Sequence, residues 1–311
     1  MTNSCLQSGI QERSDDEKVR LCVANNADLY QALFRAHGLP DQRTSAFWTS
    51  DAVAPPYYSN MTTLDRDATE KQLIEIDRLT DRLGRRPGIK DGFSKLDLNN
   101  NGFRLLFSAS WIWAEPHKSS SSAPQGWVRI REVAALDRWE HSWKESGSPT
   151  DANVFTPALL SDPDMHIYGR LAGDGFDAGF IANRSPQVVG ISNIFSLAGT
   201  PQAFRDAISL ASIAFSGDLP LVGYDRGEAL DEMKSSVSSP SANCGSGYLM
   251  RAHKRFPRLL SISVVWRETN ATPSYWFRRL PCSRSSTELA ASRTFVPGPN
   301  TAATPCSCRN S

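Results

Sequence analysis

The sequence predicts an α/β (α+β) chain. Its core is a mixed, largely antiparallel sheet flanked by helices, and its N-terminal half repeats part of the C-terminal one. Three observations carry this reading. Six letters recur nearly unchanged, as Ser59-Asn60-Met61-Thr62-Thr63-Leu64 and Ser192-Asn193-Ile194-Phe195-Ser196-Leu197. Each copy leads into a helix-period segment that stops at Gly and Pro, in "LGRRPG" and "FSGDLP". And "MHIYGRLAGDGFDAGFIANRSPQVVGISNIFSL" reads as strands in series with hairpin turns at "GDGFD" and "NRSPQ", an antiparallel meander.

Composition bounds the class. At 34.3 kDa the chain has room for one large domain or two medium ones. Hydrophobic residues make up 40% and mean hydropathy is −0.38, as in a soluble globular protein. No apolar run reaches the roughly 18 residues of a membrane span. "MTNSCLQSGIQERSDDEKVR" lacks the apolar core of a secretion signal. The expectation is a cytoplasmic protein with no membrane partner. The six cysteines read as reduced thiols, and Cys306 and Cys308 lack partners at metal-ligand spacing. Asn60, Asn183 and Asn270 stand in N-x-S/T triplets and, without a secretion signal, read as polar surface residues.

Taken in order, residues 1–19 are polar and expected to be disordered. A first half spans 20–116. "VRLCVANNADLYQALFRAHG" is a helix that Asn26 or Asp28 can cap and Gly38 ends. Pro55-Pro56 fix an extended entry to the first repeat. Leu73, Ile74, Ile76, Leu79 and Leu83 then recur at helical spacing. "GIKDGF" and a second short helix follow. "FRLLFSASWIW" reads as a buried strand that closes this half. The Ser-rich stretch 117–126 is a connector. The second half, 127–234, opens with the strand "WVRIREV" and a helix whose Leu136, Trp139 and Trp143 share one face. After a short turn come the meander, a helix with Phe204, Ala207, Ile208, Ala211 and Phe215 in phase, and the strand "LPLVGY". No apolar closing strand follows directly; "LLSISVVW" (259–266) is a late substitute.

The tail, 235–311, is compositionally different. It carries one Lys and nine Arg against two Glu, a net of +8, so the preceding 234 residues are net −7. Three readings stay open for it: a disordered basic tail, a frame or splicing artefact replacing the true end, or an arm for anionic surfaces. No aromatic-interleaved basic motif accompanies it, so no specific nucleic-acid partner is expected.

The order strand, helix, three-strand meander, loop, helix, strand resembles the GNAT (GCN5-related N-acetyltransferase) superfamily over about 20–234, with the first half as a degenerate partial copy. "PPYYSN", "KDGFSKLDL", "GISNIFS" and "LVGYDRG" are similar to stretches of GNAT-like proteins of bacteria and fungi. The resemblance implies that a bulge splays the family's fourth strand from its fifth, and that acetyl-CoA lies in the opening as co-substrate. It places Ile194, Phe195 and Ser196 on the fourth strand, and Ala198, Gly199 and Thr200 in the turn that would face the pyrophosphate at a helix N-terminus. The family pattern there is R/Q-x-x-G-x-G/A. Ser196-Leu197-Ala198-Gly199-Thr200-Pro201-Gln202-Ala203 keeps one glycine and lacks the Arg or Gln. An ordinary loop glycine is the competing reading of Gly199.

The implied activity is acyl transfer to an amine, with a small molecule or peptide as acceptor. Tyr224, at the end of the fifth strand, is the candidate acid for the departing thiolate. A half-buried strand aromatic is its competing role. Asp225 and Glu228 read equally as a helix cap and first-turn acid, and His141 and His166 are weaker candidates for a base. No Ser/His/Asp spacing, P-loop or G-x-G-x-x-G is present. The alternative is a catalytically inactive GNAT-fold module that binds CoA or a protein. The sequence does not name the acceptor or the oligomeric state.

Overall fold

The structure is a computed structural model. It describes residues 13–98, 101–116, 123–199, 201–215, 218–225 and 261–266, all within one compact unit, 1–278; for 201 and 261–266 it describes the backbone.

Helix α1 (Asp15–Ala36) opens the fold. The Ser14 hydroxyl accepts from Glu17 N at 3.2 Å, and Asp15, Asp16 and Glu17 place negative charge at the positive end of the helix. Gly38, at φ +68°, ends it as the sequence predicts. The start differs from expectation: residues 15–19 are helical, and Asn26 and Asp28 lie inside the helix. Ser14 with three acids after it is the stronger start signal.

Strands β1 (Gln42–Arg43), β2 (Phe47–Thr49) and β3 (Met61–Thr63) lead through α2 (Thr69–Leu83) to β4 (Ile89–Asp91) and then β5 (Arg104–Ala114). The second half runs β6 (Trp127–Arg129), α3 (Val133–Glu145), a 3-10 turn (Pro157–Ser161), β7 (Met165–Ala172), β8 (Gly175–Arg184), β9 (Val189–Ser196), α4 (Pro201–Ala214) and β10 (Leu221–Asp225). Strand β11 (Ser261–Trp266) comes last. All pair into one sheet in the order β1-β2-β3-β4-β11-β5-β10-β9-β8-β7-β6.

That order contains an exchange. Strand β5, which follows the first half, pairs antiparallel with β10 of the second along all five residues of β10. Strand β11, which follows the second half, pairs antiparallel with β4 of the first. The two exchanged strands pair with each other. The sequence assigned "FRLLFSASWIW" to close its own half; it closes the other one, and the late strand closes the first. The arrangement is pseudo-twofold about the β5–β11 pair and leaves neither β4 nor β10 as an open edge.

The repeat is visible in each half as a parallel pair bridged by a helix: β3–α2–β4 and β9–α4–β10. From Thr69 to Ile89 and from Pro201 to Leu221 the step is 20 residues. From the first paired residue to the helix it is 8 in one half (Met61 to Thr69) and 12 in the other (Val189 to Pro201). The recurring Ser-Asn letters therefore fall at different positions: Asn60 just precedes β3, whereas Asn193 lies deep in β9.

Period-two alternation assigns the faces. Met61 and Ile89 meet Ile76 and Leu79 of α2. Val189, Ile191 and Leu221 meet Ala203, Ala207 and Leu210 of α4. The opposite face is covered by α1 and α3, with Leu136, Trp139 and Trp143 of α3 all buried on the predicted side. Close approach of α1 requires glycine: a Cβ on Gly190 would lie 2.0 Å from Asn25 Oδ1, and one on Gly92 2.6 Å from a Val23 methyl.

Several expectations are corrected. Asn60 and Asn183 are buried, not surface residues. Asn60 Nδ2 donates to the carbonyls of Ser50 and Ala52, and Asn183 Nδ2 donates to Asn25 O. Residues 92–98 form a loop instead of a second short helix. The Asp91 carboxylate organises it, accepting from Phe93 N, Lys95 N and Leu96 N. The first residues of β5 are exposed rather than buried. The second short helix expected after β10, Glu228 and nearly all of the 235–311 tail lie outside the described residues.

Candidate functional site

Strands β9 and β10 pair at two positions, Val189 with Leu221 and Gly190 with Val222, and part from Ile191 onward. Pairing with β5 holds β10 along its whole length, so β9 is the strand that bends away. The cause lies in its sequence. Between Ser192, opposite Ile181, and Phe195, opposite Gly179, the register slips by one residue, and Asn193 there takes φ +52°. Asparagine tolerates this left-handed conformation better than most residues, and a bulge adds local bend and twist. The result is a wedge in a single sheet, bounded by β9, β10 and the N-terminus of α4.

The residues expected to line the wedge are distributed around it. Ile194 packs with Phe204 and Ile112 on the α4 side. Phe195 turns to the other face, its ring edge-on to Trp139 at 5.4 Å. Ser196 ends the strand opposite Ala178. Leu197 N then donates to Asp177 O at 2.7 Å and Gly199 N to Ser196 O at 3.1 Å, closing a tight turn. Gly199 sits at φ +60°, which favours glycine, and Ala198 is exposed. The turn delivers the chain to α4 at Pro201. It has spent the Gly199 amide internally, so that N–H is not available to an anion. Thr200 lies outside the described residues.

Tyr224 projects to the α1 face of β10. Its ring packs edge-on against Trp111 at 5.5 Å and lies 3.6 Å beneath the Lys90 ammonium. Burial pushes its hydroxyl well above the ordinary tyrosine range, helped by the Tyr30 and Tyr58 phenols and the Asp225 carboxylate. It therefore keeps its proton at neutral pH. Tyr30, from α1, meets Tyr58 edge-on at 5.0 Å. Burial raises both hydroxyls, that of Tyr30 to about 12. The Tyr58 hydroxyl accepts from Asn193 Nδ2 at 3.3 Å, which ties the bulge to this cluster. Three tyrosines, from α1, the loop before β3 and β10, thus gather beside the parted strands.

Sequence reasoning missed Tyr30, Tyr58, Asn193 and Lys90 as a group. "PPYYSN" and "GISN" were singled out for similarity, but nothing in a linear text brings residues 30, 58, 90, 193 and 224 together. The histidines do not join them. His141 is exposed and pairs with Glu145 at 3.3 Å. His166 is buried against the Phe215 ring, two strands from β9. Burial, then Arg129, Arg131 and Arg184, push its pKa down to about 4. A groove of about 630 Å³ lined by Asp28, Arg35, Asp164 and Arg184 contains none of the expected site residues.

No protein-family model and no curated protein matches the chain. Among solved structures it is similar to a GCN5-related N-acetyltransferase from Kribbella flavida, at 12% identity and TM-score 0.44, covering 79% of this chain and 95% of that one. It is similar to an acetyltransferase assigned to the GNAT family from Novosphingobium aromaticivorans, at 11% identity and TM-score 0.46, covering 78% and 99%. It is also similar to a tandem GNAT protein from the clavulanic acid biosynthesis pathway, at 10% identity and TM-score 0.36, covering 81% and 95%. The fold itself is read from the topology: a meander, a bulged strand, a helix, and a parallel strand that parts from the bulged one. By that topology the chain has a GNAT-like fold, with a shortened counterpart of the same unit in its first half.

Proposed function

We propose that the chain binds an acyl-CoA in the wedge between β9 and β10 and transfers the acyl group to an amine. The observation that carries this reading is the parting of those strands after two residue pairs, with Asn193 bulged at the point of departure. A pantetheine arm is a chain of amides, and a splayed strand is a surface that pairs with amides. Ile194 to Ser196 would run along the arm, and the Ala198–Thr200 turn would face the phosphates from the start of α4. The departures from the family pattern predict weaker phosphate affinity than a fully glycine-rich turn provides.

In the reaction the amine nitrogen bonds to the thioester carbonyl carbon and the C–S bond breaks. The leaving thiolate takes the phenol proton of Tyr224. The proton lost by the nitrogen returns to the phenol through solvent. The protonated state of Tyr224 and its place beside the wedge support this role.

The experiment is a thiol-release assay with acetyl-CoA over an amine panel, paired with calorimetry for acetyl-CoA binding. Wild type is expected to bind and turn over at least one amine. Tyr224→Phe is expected to lower kcat roughly 100-fold, the usual worth of a positioned acid, with acetyl-CoA affinity unchanged. An unchanged kcat removes Tyr224 from the mechanism. Binding without turnover on any amine leaves a CoA-binding module, and absence of binding ends the proposal.

A further inference from the structure

Register places three side chains of the first half in one row. Trp48 on β2 is opposite Thr62 on β3, and Thr62 is opposite Lys90 on β4, so all three point to the face that α1 covers. All three are fully buried. Trp48 Nε1, Thr62 Oγ1 and Lys90 Nζ each lack a hydrogen-bond partner among the described residues. So does Asn26 Oδ1, one helical turn before Tyr30 on α1. Buried polar groups in folded proteins are nearly always paired, so this set between one helix and three strands needs an explanation.

The rings around Lys90 supply part of one. Its ammonium lies 3.6 Å from the Tyr224 centroid, 5.3 Å from Tyr30 and 5.7 Å from Trp111. Tyr30 in turn packs edge-on to Trp48 at 5.7 Å, linking both ends of the row. Aromatic faces favour a cation but do not replace its full hydration. Burial accordingly pushes the Lys90 pKa well below the ordinary lysine range.

The donor inventory selects the missing partner. An indole N–H only donates, an ammonium only donates, and a threonine hydroxyl is able to donate. Their complement is a group with two or more acceptor oxygens and one negative charge to match one lysine. We propose that Lys90, Thr62 and Trp48, between α1 and strands β2–β4, form a binding site for a small organic carboxylate. Lys90, Thr62 and Trp48 hold its two oxygens, and the Asn26 carbonyl accepts a hydroxyl or N–H of the same molecule. The site adjoins the acyl-CoA wedge through the contact of Lys90 with Tyr224, and its test, made without acyl-CoA, does not require that reading to hold.

The test is thermal unfolding of the full chain with sodium propionate, in the absence of acyl-CoA and at constant ionic strength. Sodium chloride, propylammonium chloride and sodium phosphate serve as the comparison arms. A saturable rise in Tm with propionate, absent with the chlorides, is expected. Trp48→Phe keeps the ring and loses only the N–H; it is expected to raise the half-saturating propionate concentration roughly 10-fold, the worth of one hydrogen bond to a charged group. Lys90→Met is expected to abolish the response. The proposal is overturned by no saturable rise in wild type. A rise with phosphate and not propionate overturns it as well, as does a full response retained in Lys90→Met. Should Lys90→Met not fold, an unchanged half-saturation in Trp48→Phe overturns it alone.

Discussion

The two halves solve the same problem differently. Each places a helix between two parallel strands, and each pairs those strands at two positions. In the first half β3 then ends at Thr63, three residues long, and the Asp91 carboxylate with Thr63 Oγ1 at 3.1 Å tightens the turn beside it. In the second half β9 runs on to Ser196 through a bulge and leaves β10 behind. Four extra residues between the first paired residue and the helix, taken up by the longer β9, are the whole difference in length. They convert a closed pair into an open one. The lesson is that a repeat preserves its architecture where the helix and its following strand are concerned, and diverges where a cleft opens.

Substitutions test how far that contrast holds. The largest effect is expected from Gly190→Ala. The added methyl meets Asn25 Oδ1 and Asn183 Oδ1, at 2.0 and 2.5 Å. Asn25 cannot yield without losing its bonds to Asn183 O and Ser185 Oγ. Overpacking plus broken buried hydrogen bonds predict a loss of about 2–5 kcal/mol in chemical denaturation. Gly92→Ala is the matching change in the first half. Its methyl presses on Val23 side-chain atoms at 2.6 and 2.9 Å and reaches Thr63 O only at 3.4 Å, so a smaller loss of about 1–2 kcal/mol is expected. Equal losses would mean that α1 is no more tightly held over one half than over the other.

Lys90 gives a signed prediction in pH. Its folded pKa is depressed, so between the folded value and about 10.4 the unfolded chain binds more protons. Stability from this group therefore rises as pH rises through that window, and below it the full cost of the buried ammonium remains. The slope from one proton approaches about 1.4 kcal/mol per pH unit. Lys90→Met is expected to remove that component of the stability–pH curve. An unchanged curve would show that Lys90 finds a partner in solution. The smallest effect belongs to the helix that spans both halves. Ser14→Ala removes the α1 cap and is expected to cost about 1 kcal/mol, read as a parallel shift in the denaturation midpoint.

Much of the frame was legible in the sequence. The meander, the α3 face of Leu136, Trp139 and Trp143, and the βαβ repeats follow from local periodicity and turn residues. The strand exchange did not, because β5 and β11 carry the same apolar pattern whichever neighbour they choose. The register of the Ser-Asn copies was also misleading: identical letters sit at a strand entry in one half and at a bulge in the other. Of the candidate site, the sequence places Tyr224 at the end of β10 and Gly199 in the turn after β9, because both follow from strand ends. The tyrosine–lysine cluster depends on α1 crossing both halves, and no short-range signal encodes that crossing. Asn60 and Asn183 show the same limit, since polarity suggested the surface and only the tertiary hydrogen bonds explain their burial.

Hydrogen exchange by mass spectrometry, with and without acetyl-CoA, bears most directly on the difference between the halves. Added acetyl-CoA is expected to slow exchange in the peptide covering 191–199 and to leave the peptide covering 59–66 unchanged. Equal protection of both, or of neither, contradicts a coenzyme seated where β9 leaves β10.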